Sequence, residues 1–313
     1  MSLTALLPGC NERNGRLLGC GYSVADGSRR DLDALVTSPD PAPAPTAALL
    51  QRIEQYYDAA PRSSAEAEDF GPLTLFVRAG QGFPFYARPT PGGCAEVSAD
   101  DVRRVRARQR ALGVPEAFEW VEETTPVLRA AVEASGLAVH EHPLMVLDPQ
   151  AAAQEPPGGL VRMLEAGDPA LASAHAVLFL AFSAPGTAAG EAGVDALDAE
   201  TRTRSGDGSV ESLAERIEAG LTRVAAAVED GRALASGRHQ PVGAVTEIVG
   251  MGTLPAARRR GLAQAVAAAL IADAHALGIE TVFLSAADEA VARLYARLGF
   301  RRVGTALIAE AAS

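Results

Sequence analysis

Apolar positions along this chain recur at two periods, and the switches between them mark its elements. In TAALLQRIEQYYD (46–58), Leu50, Ile53 and Tyr57 fall at helical spacing. LTLFVRAG (73–80) and FPFYARP (83–89) read as two short strands around a glycine turn. SADDVRRVRARQRALG starts with Ser98 or Asp100 as a cap and sets Val102, Val105 and Leu112 along a helix. FEWVEE reads as a short strand. TPVLRAAVEASG is a helix with Pro126 near its start and Gly136 after it, and LAVHEHPLMVLD gives one or two strands.

A second set of elements begins after AAAQEPPGG (151–159), a small, polar, proline-bearing linker. LVRML is a strand, and DPALASAHAVLFLAF is a helix with Asp168 as cap and Pro169 at its first position. Residues 183–209 are rich in Gly, Ala and Asp, the composition of a long loop or a poor helix. SVESLAERIEAG is a helix capped by Ser209 or by Ser212, and the sequence does not choose between them. TRVAAAVED, RALASG and VGAVTEIVGMGTL then form strands, with turns at Asp230–Gly231 and at 237–241, as in an antiparallel meander. A helix over 262–277, a strand, a short helix and a last strand over 303–309 complete the order. The expected fold class is α/β or α+β, a mixed sheet flanked by helices. The expected division is a flexible or loosely packed arm over 1–45, a first domain over 46–150, the linker and a second domain over 160–313.

Net charge is −11, which argues against a nucleic-acid partner, since that would want a basic face. Cys10, Cys20 and Cys94 are scattered and lack metal-ligand spacing with histidines, so free thiols in a reducing cytoplasm are expected. His140 and His142 form an HxH pair without further obvious ligands, and no metal is expected. No signal peptide or membrane span is expected. The run Arg103, Arg104, Arg106, Arg108, Arg110 reads as a solvated helix surface, or a docking face for an acidic partner.

The most informative stretch is TLPAARRRGLAQAV. An apolar strand enters a turn at Pro255, and a long alanine-rich helix starts directly after Arg258-Arg259-Arg260-Gly261-Leu262-Ala263. Free N–H groups and the positive helix end make an anion cradle there. Gly261 lets a ligand oxygen approach the main chain. Leu262, Val266, Leu270 and Leu277 supply the buried stripe that would anchor the helix. The spacing is neither a P-loop nor a dinucleotide fingerprint.

These residues resemble the Gcn5-related N-acetyltransferases (GNAT family), whose diphosphate motif is Gln/Arg-x-x-Gly-x-Gly/Ala. Thr253-Leu254-Pro255 matches the family's lead-in, with threonine at a usually apolar position. The segment from Asp288 to Tyr295, followed by Gly299-Phe300, matches a second motif, with Asp288 where asparagine is usual and Val291 at the usual alanine. The resemblance covers about 160–310. It implies a GNAT-like fold and acetyl-CoA (coenzyme A) as cofactor. The main chain of Met251, Gly252 and Thr253 would pair with the pantetheine arm in a slot between splayed strands. Arg258 to Ala263 would hold the diphosphate, with Asp288 near the cofactor arm. Residues 46–148 echo the same order without a matching cradle, which implies a degenerate GNAT-like copy in tandem that completes the acceptor cleft.

The resemblance implies acyl transfer by direct attack of an amine in a ternary complex. Tyr295 matches the tyrosine that protonates the departing thiolate in related enzymes, and is otherwise an aromatic packing residue. Glu247, fourteen residues before Gly261, is either a general base or a solvent-facing strand residue. His239 would sit in a turn, as a surface residue or as part of the acceptor pocket. The expected acceptor is a small primary amine, for a monomer or homodimer. A protein acceptor, or acyl-CoA sensing without turnover, stands as the alternative.

Overall fold

The computed structural model describes residues 44–80, 85–92, 96–151 and 159–311. The expected arm up to residue 43, the three cysteines and residues 152–158 of the linker lie outside them.

Helix α1 (Ala44–Ala59) opens the first half, with Leu50, Ile53 and Tyr57 buried as their spacing predicts. Strands β1 (Ala65–Asp69), β2 (Leu73–Arg78) and β3 (Ala87–Pro89) follow. Helix α2 (Ala99–Leu112), strand β4 (Ala117–Val121), helix α3 (Val127–Ala134) and strand β5 (Ala138–Leu147) complete it. The second half starts with strand β6 (Val161–Leu164) and helices α4 (Leu171–Ser183), α5 (Val194–Arg204) and α6 (Ser209–Glu218). The meander β7 (Arg223–Glu229), β8 (Arg232–Val242) and β9 (Val245–Thr253) comes next. Helix α7 (Leu262–Ala276), strand β10 (Thr281–Ser285), helix α8 (Glu289–Ala296) and strand β11 (Phe300–Glu310) end the chain's described elements.

From β1 and from β7 the two halves pass through one order: three strands, a helix, a strand, a helix and a strand. In each half the third strand pairs with the fourth in parallel, Ala87 with Phe118 and Val245 with Thr281. Parallel neighbours need a crossover, and α2 and α7 supply it. The described strands form a single mixed sheet in the order β1-β2-β3-β4-β11-β5-β10-β9-β8-β7-β6. Each half's last strand lies beside the other half's penultimate one. β11 pairs with β4, β5 pairs with β10, and β5 and β11 run antiparallel to each other between them. The sheet is therefore continuous through both halves, and the apolar side chains of β11, such as Leu307 and Ala309, are buried in the first half's core.

Three local expectations are corrected. Residues 183–209 contain a true helix, α5, in which Leu197 is the buried anchor. Its one-residue apolar contact with the core is too thin for the periodicity to show. Residues 237–241 are not a turn; they belong to β8, and the chain reverses at Gly243-Ala244. Gly237 is small because Met251 fills its space: a Cβ there would lie 2.0 Å from the Met251 sulfur. Leu277 falls beyond α7 and is 51% exposed, so the buried stripe ends at Leu270 and Ala274.

Of the turn and cap signals some hold and others shift: α4 starts only at Leu171, so Asp168 and Pro169 precede it, the Asp168 carboxylate accepting from the Ala170 N–H at 2.9 Å. Asp230 (φ 49°) and Gly231 (φ 77°) form the tight β7–β8 turn. Ser98 caps α2. Helix α6 starts at Ser209, whose N–H donates to the Asp207 carboxylate at 2.9 Å, and neither serine hydroxyl caps it. The arginine run on α2 meets local acids: Arg103 pairs with Asp100, Arg104 with Asp101, Arg106 and Arg110 with Glu116, and Arg108 with Glu68. Its charge is balanced within the first half.

Candidate active site

The turn between β9 and α7 has the conformation an anion needs. A short 3-10 turn over Pro255–Ala257 leads to Arg258, after which Arg259 (φ 66°) and Gly261 (φ 77°) both adopt left-handed backbone. A left-handed arginine costs about 1–2 kcal/mol relative to ordinary backbone. Alternating handedness of this kind turns successive N–H groups to one side, forming a nest. Gly261 precedes α7, and no side chain caps it. Among the described residues, no hydrogen bond runs from the N–H of Arg259, Arg260, Gly261, Leu262 or Ala263 to a protein acceptor. Helix α7 has no acidic residue in its first turn, so its positive end is unbalanced.

Helix α2 holds the corresponding place in the first half, and there the protein caps itself. The Ser98 hydroxyl accepts from the Asp101 N–H at 3.2 Å, and the Asp101 carboxylate accepts from the Ser98 N–H at 2.9 Å. Asp100 and Asp101 add negative charge to that first turn. An anion cradle is thus built at α7 and closed at α2.

The three arginines of the turn take different roles. The Arg258 guanidinium donates to the main-chain carbonyls of Ala181 (3.0 Å), Ala184 (2.6 Å) and Ala188 (3.1 Å). It therefore ties the cradle to the end of α4 and serves the turn's shape, while burial lowers its pKa. Arg260 pairs with Glu229 at 3.0 Å on the surface. Arg259 is exposed, and among the described residues its side chain makes no hydrogen bond or ion pair.

A slot leads away from the cradle. β9 and β10 pair only through Val245–Thr281, Thr246–Val282 and Glu247–Phe283. Beyond Glu247 the remaining length of β9 runs without a partner on the β10 side, while its other edge stays paired with β8. The cause is a bulge. Between Gly252–Ser236 and Val249–Arg238, β9 spends Gly250 and Met251 against the single Gly237 of β8. Gly250 takes φ 57° there. Bulges bend the strand that carries them. Gly252 lets α4 pack on the bulged strand: a Cβ would sit 2.8 Å from Ala181 Cβ and 3.0 Å from Leu178 Cδ2. Met251 and Thr253 are half-buried along the same stretch.

The two titratable candidates flank this slot on opposite faces of the sheet. Tyr295 on α8 belongs to the core cluster of Leu254, Ala257 and Leu262, with Met251 packed against that cluster. Its ring meets Phe300 edge-on at 5.7 Å. Its hydroxyl has no hydrogen-bond partner among the described residues, yet it is not a fully enclosed atom. Burial of the ring raises its pKa well above that of a free phenol, so the hydroxyl stays protonated. Asp288 is the α8 cap, one carboxylate oxygen accepting from the Val291 N–H at 2.8 Å.

Glu247 is fully buried, which removes the solvent-facing reading. It lies on the α1 face, where the Tyr57 hydroxyl donates to its carboxylate at 3.3 Å. The Arg88 guanidinium stacks on the Tyr57 ring at 3.9 Å and pairs with buried Glu119. Tyr56 donates to the Gln240 carbonyl, directly opposite Glu247. The first half thus supplies the setting of Glu247. Sequence reasoning missed Tyr57, Arg88 and Glu119 in this role; an adjacent tyrosine pair on an otherwise ordinary amphipathic helix was the only trace.

His239 is not a surface turn residue. It is buried on β8, bonded to Thr246 Oγ1 at 2.9 Å and donating to Asp273 at 2.9 Å, on the α7 face away from Glu247. Its place is structural. His142 donates through Nδ1 to the Ala287 carbonyl, His140 is exposed, and no metal-binding group of His, Cys, Asp or Glu occurs among the described residues.

Comparison with known proteins agrees with this geometry. Residues 194–300 match the model of the acetyltransferase (GNAT) family. A GCN5-related N-acetyltransferase from Kribbella flavida superposes with a TM-score of 0.62 at 21% identity, covering 85% of this chain and 96% of that one. A protein assigned to the GNAT family from Novosphingobium aromaticivorans gives 0.52 at 18% identity, over 85% and 99% of the two chains. A conserved protein of unknown function from Staphylococcus epidermidis gives 0.52 at 12% identity, over 81% and 96%. At these identities the likeness is one of fold, and it spans both halves. No curated protein matches by sequence.

Proposed function

We propose, from the premise that residues 194–300 carry a domain of the acetyltransferase (GNAT) family, that this chain is an N-acetyltransferase acting on a primary amine. The observation that carries the reading is the uncapped nest at Arg259–Ala263 opening into the split between β9 and β10. Acetyl-CoA fits the residues present: five free N–H groups for a diphosphate, a half-open strand edge for an extended amide-bearing arm, and Arg259 for further negative charge. When bound, it would supply an acetyl group activated as a thioester.

The side chains divide the remaining work. Glu247, directly or through water, takes the proton that an ammonium must lose before it attacks. A main-chain N–H near Met251 or Gly252 donates to the acyl oxygen as charge develops on it. Tyr295, kept protonated by burial, donates to the sulfur as the thiolate departs. Asp288 spends one carboxylate oxygen on the α8 cap, and its second oxygen would be left for the cofactor arm. Amine attack takes place with both substrates bound, as the family resemblance implies.

The domain reading we retain is a degenerate GNAT-like unit over 46–150 and a catalytic one over 160–313, joined through exchanged last strands. Helix α3 contains no tyrosine and α2 is capped, so the first unit has lost both cradle and acid. It contributes Tyr57 beside Glu247 instead. No helix among the described residues is long and apolar enough to cross a membrane.

The test is release of free thiol from acetyl-CoA across a panel of small amines and N-terminal peptides. Amine-dependent release supports transfer. Tight coenzyme A binding without release from any acceptor would replace the enzyme with an acyl-CoA sensor, and peptide-only release would make it a protein acetyltransferase.

A further inference from the structure

Two arginines on the Glu247 face of the sheet, Arg238 buried and Arg216 half-buried, lack a carboxylate partner among the described residues. Arg238 on β8 is 9% exposed. Its Nη2 donates to His175 Nδ1 at 2.6 Å, its Nε is enclosed with no partner, and Nη1 makes no hydrogen bond among the described residues. His175 in turn donates through Nε2 to Ser209 Oγ at 3.0 Å, which fixes it as the neutral tautomer. Burial, then the Arg238 charge, pushes the His175 pKa down to about 3. The imidazole therefore cannot balance the guanidinium. Arg216 on α6 bonds only hydroxyls, Thr222 Oγ1 at 3.3 Å and Ser64 Oγ at 3.2 Å, the latter from the first half.

No ion pair joins either guanidinium to an Asp or Glu among the described residues, although Arg-to-carboxylate pairs are common elsewhere in the chain. Arg216 also lies close enough to Arg238 and to Arg78 for its charge to lower both their pKa values, each to about 10, burial being the larger cause. Like charges drawn out of water without a counter-charge are costly, and charged groups so perturbed mark candidate ligand sites. Their location fits. Gln240 is the cross-strand partner of Glu247, and Arg238 is two residues from Gln240 on the same face. Diagonal neighbours of this kind lie about 7–8 Å apart at the backbone. The Tyr56 hydroxyl feels the charges of both Glu247 and Arg216.

We propose that Arg238 and Arg216 are specificity residues of the acceptor pocket, holding the carboxylate or phosphate of an anionic amine whose nitrogen points to Glu247. This rests on the transferase reading above. The acceptor class is a small primary amine carrying an acidic group a few bonds from the nitrogen, and the α6–Ser64 contact makes both halves of the chain part of its recognition.

Matched amines test the idea. With acetyl-CoA, 4-aminobutyrate is compared with butylamine, and 3-aminopropylphosphonate with propylamine. The expected result is a kcat/KM for at least one acid about tenfold or more above its neutral counterpart. Which acid wins separates carboxylate from phosphate recognition. Arg238→Met and the milder Arg216→Gln should each bring the preference to within about twofold, chiefly through KM of the amine, with KM for acetyl-CoA unchanged. Equal use of acid and neutral amine by the unaltered protein, or a preference that survives both substitutions, overturns the proposal.

A second readout needs no turnover. Butyrate or propylphosphonate should raise the Tm of the unaltered protein and raise it less in Arg216→Gln. If neither acid shifts Tm, anion recognition is refuted even where transfer is observed. If Tm shifts but no amine is acetylated, the transferase reading fails and the anion site stands.

Discussion

Gly261→Glu lowers the affinity for acetyl-CoA by about 100-fold or more, which is about 2.7 kcal/mol. Two effects add. The backbone at φ 77° disfavours glutamate by about 1–2 kcal/mol, so the free turn relaxes away from the nest and binding must restore it. The added carboxylate then sits among the N–H groups meant for the diphosphate, at the positive end of α7. Nothing lies within 4 Å of a Cβ at this position, so the folded structure has room for the side chain and the loss is one of binding. Gly261→Asn separates the two effects, because asparagine tolerates left-handed backbone and carries no charge. It should bind clearly better than Gly261→Glu. Isothermal titration with coenzyme A measures both, and thermal unfolding confirms that each variant is folded.

Tyr295→Phe lowers kcat by about 100-fold or more, with KM for acetyl-CoA nearly unchanged. The ring packing against Phe300 is retained in phenylalanine, and the hydroxyl it loses has no partner among the described residues. Stability should therefore hold while turnover falls. The pH profile carries a second signature. Burial raises the phenol's pKa, so the donor form persists through neutral and mildly alkaline pH and is lost only on the alkaline side, above about pH 10. Transfer by the unaltered protein should show no alkaline limb from this residue below that point. Equal kcat in the two proteins would make Tyr295 a packing residue alone.

Much of this site is legible in a single sequence because its parts are contiguous. Pro255, the arginines, Gly261 and the start of α7 occupy one short stretch, and local backbone chemistry decides what they do. The mixed sheet and the β7–β8 hairpin followed from period and the Asp230–Gly231 turn in the same way, whereas the β8–β9 turn lies at Gly243-Ala244 and not at 237–241. What could not be read depends on partners far away in sequence. Tyr57 reaches Glu247 across 190 residues. The exchange of β5 and β11 concerns which strand lies next to which, and no period encodes that. Arg238 and His239 were hidden by composition, since Gly237, Gln240 and Pro241 around them have the look of a turn. They stay in a strand because His239 finds Thr246 and Asp273 inside and Gly237 admits Met251. Arg258 shows the converse: its place in the motif was clear, but its guanidinium went to the carbonyls that end α4 and hold the segment after it.

The nest before α7 is the part on which the remaining assignments depend, and amide chemical shifts report on it directly. Coenzyme A titrated into the ¹⁵N-labelled protein should move the N–H resonances of Arg259, Gly261, Leu262 and Ala263 saturably, while those of Ala99 to Asp101 at the capped start of α2 stay in place. Resonances at 259–263 that do not move when coenzyme A binds, or that move no more than those of α2, would contradict the account.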